Sequence, residues 1–143
     1  MKITSPDFAQ NTMIPKKYTC QGPDINPPLE ISGIPEAAKS LALIVDDPDA
    51  PGGTFVHWVV YNMPVSERIA ENSVLSEQGE NDFGTRKYGG PCPPGGTHRY
   101  FFKIYALDST IPSKGSMKKK DLERAMKGHV LAEAELIGLY TKS

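Results

Sequence analysis

Two histidines, three aspartates, an arginine and a tyrosine stand beside two loops built from glycine and proline. Residues 88–102 read YGGPCPPGGTHRYFF, with four glycines and three prolines ahead of His98, Arg99 and Tyr100. Residues 46–53 read DDPDAPGG, and His57 follows Gly53 closely. Neither stretch suits a regular element, because glycine leaves the backbone free while proline fixes φ and removes a donor. Each is read as an ordered, turn-rich loop, and loops held by a scaffold commonly carry binding groups. If the loops converge, two imidazoles and a phenol can donate to a phosphate or carboxylate, and glycine amides can form a small nest. An aspartate facing a histidine would set its tautomer and raise its basicity.

Plainer readings compete for the same residues. His57 sits in an apolar run and equally suits a satisfied core histidine. Arg99 suits a structural salt bridge or loop clamp, since its rigid fork matches a carboxylate. Asp46, Asp47 and Asp49 suit an Asx-type turn around Pro48. Pro51 suits a cis bond in a tight turn, and Trp58 suits core packing with a partner for its ring nitrogen. A hydrolase nucleophile elbow is absent, and the glycines match neither a P-loop nor a dinucleotide fingerprint. Two histidines and an aspartate lack a recognised zinc spacing. Cys92 as an attacking thiolate would need a base such as His98.

The elements that must position these groups are mostly strands. Residues 1–4 and 29–31 read as short strands, and residues 16–20 contain an extended YTC. SLALIVD at 40–46 is the pattern of a buried strand, and TFVHWVVYNM at 54–63 that of a long central strand covered on both faces. Alternation puts Phe55, His57, Val59 and Tyr61 on one face of it. Residues 66–84 read as an irregular polar connection holding short strands or packing on the domain. In the strand at 99–108, Tyr100, Phe102 and Ile104 share one face, and Phe101, Lys103 and Tyr105 the other. KKKDLERAMK at 118–127 is the one convincing helix, with Ser116 as N-cap, Gly128 as stop, and Leu122, Ala125, Met126 and His129 as its apolar side. Its lysine-rich start opposes the helix dipole. VLAEAELIGLY after it is read as a strand. Missing helical crossovers favour a mostly β sandwich over a doubly wound fold.

A chain of 143 residues suits a single domain spanning 1–143. Its 38% hydrophobic and 23% charged residues are those of an ordinary globular protein. A net charge of −1 disfavours a nucleic-acid partner. No apolar run approaches the ~20 residues needed for stable membrane insertion. The N-terminus lacks a signal-peptide core, so a cytoplasmic location is expected. Cys20 and Cys92 are the two cysteines. A single bridge between them is open, but for a cytoplasmic chain two reduced thiols are expected.

DPDAP at 47–51, His57–Trp58, GPCPPGGTHRYFF at 90–102 and the INPPLEI opening make nearly the whole chain resemble the phosphatidylethanolamine-binding protein family, in its prokaryotic Raf-kinase-inhibitor-like branch. The resemblance implies an antiparallel Greek-key β-sandwich of two sheets with a short helix near the C-terminus. It implies an anion pocket formed by Asp47, Pro51, His57, Gly90, Pro91, His98 and Tyr100, with a cis Ala50–Pro51 bond, and a homodimer. The ligand would bear a phosphate, phosphorylethanolamine or carboxylate group, on a small molecule or a protein partner. Ending at Ser143 leaves no counterpart of the C-terminal helix of animal relatives, so a more open pocket is expected. Regulatory inhibition of a kinase or protease and weak phosphoester hydrolysis are the alternatives. No catalytic residue, cofactor or metal is assigned, and binding without turnover is the expected activity.

Overall fold

The computed structural model describes residues 1–73, 77–112, 115 and 117–143. Its strands are β1 (Lys2–Thr4), β2 (Thr12–Met13), β3 (Leu29–Ser32), β4 (Ser40–Asp47), β5 (Phe55–Met63), β6 (Arg68–Ile69), β7 (Glu77–Gln78), β8 (Thr97–Leu107) and β9 (Val130–Thr141), and its helix is α1 (Lys119–Met126). They form a small sheet in the order β1-β3-β6 and a large one in the order β2-β9-β8-β4-β5-β7. Pairing is antiparallel except where the two-residue β2 runs parallel to β9. The chain makes the β4–β5 hairpin, visits the small sheet at β6 and returns at β7. It then crosses to the far side of β4 as β8, a Greek-key path.

All eight residues of β4 are buried because the large sheet is covered on both faces there. Leu41, Leu43 and Val45 join Trp58, Val60, Phe102 and Ile104 against the small sheet. Ala42 and Ile44 join Val59, Tyr61 and the helix residues Leu122 and Met126 on the opposite face. Strand β8 alternates as expected, with Tyr100, Phe102 and Ile104 in the first of these cores. Among the described residues no helix is long and apolar enough to cross a membrane.

Several expectations need correction. Strict alternation fails in β5, where Asp46 pairs with Val56 but Val45 with Trp58, so His57 is the extra residue of a bulge. Val56 and Val59 therefore share one core while Trp58 and Val60 share the other. A bulge re-aims one side chain without ending the strand, and the side chain re-aimed here is His57. Residues 16–18 form a 3-10 turn rather than extended chain, because burying Tyr18 and satisfying Thr19 on the Lys16 carbonyl outweigh local β preference. The expected N-cap Ser116 lies outside the described residues; Lys118 occupies that position and donates its N–H to Asp121 at 2.9 Å. Gly128, at φ +84°, ends the helix, so His129 leaves the apolar stripe and pairs with Asp108 in the open. The connection between β5 and β8 does hold short strands, β6 and β7.

Cys20 and Cys92 are joined as a disulfide, with their Cα atoms 5.4 Å apart. This replaces the expected pair of thiols. The physical reason is tertiary: Cys20 N–H donates to the Pro91 carbonyl at 3.1 Å, which lays the two segments side by side.

Candidate functional site

Asp47, at the end of β4, uses both carboxylate oxygens. Oδ1 accepts the Asp49 N–H at 2.7 Å, the Asx turn expected around Pro48. Oδ2 lies 2.7 Å from Nδ1 of His98, one strand away on β8, and both side chains are nearly inaccessible. Asp49 instead faces outward and takes Arg99 in a forked pair at 2.9 and 2.8 Å. Arg99 pulls the Asp49 carboxyl down to about 2. Strand alternation sends Arg99 to the opposite face from His98 and Tyr100, so the arginine is a loop clamp.

The bulge delivers His57 beside Tyr100, ring edge to ring face at 5.2 Å. His57 Nδ1 donates to the Gly89 carbonyl at 2.7 Å, and Gly89 returns its N–H to the His57 carbonyl at 3.1 Å. Burial pushes the His57 imidazole below its ordinary pKa, and the Gly89 carbonyl and the Asp47 charge partly oppose this. Burial also raises the Tyr100 hydroxyl, with the Asp47 and Asp49 charges acting in the same sense.

These groups form the polar side of a cavity of about 260 Å³. Ala50 and Pro51 line it from the first loop, and Cys92, Pro93 and Pro94 from the second. Phe55 and Phe83 complete an apolar mouth, packed edge to face on each other at 4.8 Å. A polar base beneath proline and aromatic walls is the ordinary make-up of a small-ligand site. A larger depression of about 470 Å³ lies beside α1, where two of the lining lysines are already paired, Lys118 with Glu80 at 3.5 Å and Lys119 with buried Asp46 at 2.8 Å.

Five of the seven expected pocket residues therefore line one cavity: Asp47, Pro51, His57, His98 and Tyr100. Gly90 and Pro91 instead hold the loop to the chain beneath it. The Gly90 N–H donates to Asp24 at 2.7 Å, and a Cβ at Gly90 would fall 2.3 Å from the Tyr18 carbonyl oxygen. Pro91 accepts from Cys20 beside the disulfide. The expected cis bond before Pro51 is corrected, since no peptide bond among the described residues is cis. Gly53 N–H closes a turn onto the Ala50 carbonyl at 3.1 Å, placing Pro51 at its second position, where a trans proline presets the right φ.

Sequence reasoning put Phe55 on the face of His57 without assigning it to the site, and it passed over Phe83 and Asn81. Asn81 organises the loop that carries Phe83: its Oδ1 accepts the Phe83 and Thr85 N–H groups at 3.0 Å, and its Nδ2 donates to the His57 carbonyl at 3.2 Å. No local pattern marks an asparagine that works by tertiary hydrogen bonds. Among the described residues no cluster of three His, Cys, Asp or Glu side chains has the arrangement of a metal site.

The phosphatidylethanolamine-binding protein family model matches residues 4–141. A UPF0098 protein of Pyrococcus horikoshii is 49% identical over 99% of this chain and 77% of its own length. One from Methanothermobacter thermautotrophicus is 48% identical over 99% of both chains. Among solved structures, a putative phosphatidylethanolamine-binding protein homologue from Chlamydia trachomatis superposes with a TM-score of 0.96 at 45% identity, covering 99% of this chain and 97% of its own. YbcL of E. coli, described as a new member of the mammalian family, superposes with a TM-score of 0.90 at 30% identity, covering 99% and 98%. The fold, the paired loops and these matches together make the chain a member of the phosphatidylethanolamine-binding protein family.

Proposed function

We propose that this protein is an anion-binding module whose cavity takes a phosphate-, phosphorylethanolamine- or carboxylate-bearing group. The observation that carries this reading is the buried Asp47–His98 pair beside His57 and Tyr100, at the base of a cavity with apolar walls. The base would hold the polar head, and Pro51, Phe55, Phe83 and Pro94 would cover whatever is attached to it. Binding rather than turnover is the reading favoured, because Cys92, the nearest thiol, is tied in the disulfide. Titration of inorganic phosphate and phosphorylethanolamine tests it: saturable binding is expected, weakened at least tenfold in His98→Ala. Binding unchanged in that variant removes the pocket assignment.

For assembly we propose a homodimer. Support comes from the part of the large sheet beyond α1, where Phe101 pairs with Ile137, and Leu139 with the exposed Met13, on one face. Light scattering on the purified protein checks this, and a monomer mass at high concentration rejects it. A cytoplasmic location would have to accommodate the Cys20–Cys92 bridge, which fits an oxidising compartment or the cytoplasm of a thermophile. Thiol trapping on lysed cells reads the bridge directly; free thiols there would support the cytoplasmic reading.

A further inference from the structure

Both histidines of the cavity have the hydrogen on Nδ1 committed to the protein. A carbonyl oxygen can only accept, so the contact between His57 Nδ1 and the Gly89 carbonyl at 2.7 Å puts the proton on that nitrogen. His98 Nδ1 is held in the same tautomer by Asp47 Oδ2 at 2.7 Å, since Asp47 is a carboxylate accepting on both oxygens. The second nitrogen of a neutral imidazole is then a lone-pair acceptor. Each neutral ring therefore has only an acceptor, Nε2, left to offer.

An oxyanion is also an acceptor, and the cavity holds little to offset that: the Tyr100 hydroxyl is a donor, but the Asp47 carboxylate draws on it. No lysine or arginine among the described residues lines it, and nearby Arg99 is engaged by Asp49. The ionisable groups around His57 are Asp47 from β4, His98 and Tyr100 from β8, and Asp24 beneath the second loop. Two of these are carboxyl groups. A bare dianion entering here meets two lone pairs and a buried negative charge. One added proton removes the conflict, either on an Nε2, which then donates, or on the ligand, whose O–H donates to Nε2. Burial lowers the proton affinity of His57 in the empty site, and a bound anion adds to the countercharge that Asp47 supplies only in part.

We propose that the cavity takes its oxyanion only together with one proton, so that a phosphomonoester-type group is held either as the monoanion or as the dianion on a protonated histidine, and a dianion that brings no proton to the neutral site is rejected. This rests on the anion-binding reading above and adds the protonation state of the bound species. The test is calorimetric titration of the wild-type protein with inorganic phosphate from pH 5.5 to 8.5, in pairs of buffers differing in ionisation enthalpy. A parallel arm uses sulfate, which brings no proton of its own. Uptake of about one proton per ligand is expected above about pH 7.5, with Kd rising about tenfold per pH unit for either anion. The double variant His57→Gln/His98→Gln donates through side-chain amides without titrating, and its sulfate affinity is expected to lose that slope. Saturable wild-type binding that is flat with pH and indifferent to buffer overturns proton coupling and leaves the anion site standing. Saturation by neither anion at any pH removes both.

Discussion

His57 is a buried histidine whose environment works against its charge. Its folded pKa lies below 6.5, with burial the main cause. The unfolded chain therefore binds more protons as the pH falls through that value, so stability is lost on acidification and shows no contribution from His57 at alkaline pH, where both states are neutral. Urea titrations of the wild type and His57→Gln between pH 5 and 8 should converge in pH dependence at the alkaline end. Below about pH 6.5 the wild type should lose stability relative to the variant. A constant difference across the range would remove the desolvation argument. Gly90 is as constrained at this scale, because its Cα faces the Tyr18 carbonyl and Asp24 with no room for a methyl group.

Helix α1 is held to the sheet by more than its apolar side. Asp46, 1% exposed on β4, takes Lys103 of β8 at 3.1 Å and Lys119 of α1 at 2.8 Å on the same oxygen. Either lysine alone leaves the carboxylate paired, so Lys103→Met and Lys119→Met should each cost under about 1 kcal/mol. Removing both strands a buried charge and should cost about 3–5 kcal/mol, well beyond the sum of the singles. Denaturant melts of the four proteins give the coupling. Strict additivity would show that solvent reaches Asp46 once the lysines are gone. Lys119 sits in the first turn of the helix, so its attachment to Asp46 and the Lys118 N–H bond to Asp121 explain how an unfavourable dipole is tolerated.

At the scale of the whole molecule, the Cys20–Cys92 bridge closes a loop across a sequence separation of 72, tying the N-terminal turn to the second pocket loop. A loop of that size should contribute about 4 kcal/mol by restricting the unfolded chain. Midpoints of urea denaturation with and without a dithiol, and for Cys20→Ala/Cys92→Ala, measure it. A reduced protein as stable as the oxidised one would mean that the packing around Tyr18 and Gly90 alone holds the loop.

Much of this protein is legible from its residues in order. The apolar run at 40–46, the alternation of Tyr100, Phe102 and Ile104, and the Glu-Ala alternation of β9 mark strands because period-2 burial is written locally. DPDAP and GPCPPGGTHRY mark the two pocket loops because glycine and proline restrict the backbone wherever they fall. Tertiary structure decided the rest. It set the bulge that turns His57 to Tyr100, a matter of register between β4 and β5. It decided that Arg99 clamps Asp49 while His98 takes Asp47, that Gly90 and Pro91 anchor rather than line, and that two distant cysteines meet. Each of these depends on which segments lie side by side in space, and local sequence carries periodicity and backbone restriction but not that adjacency.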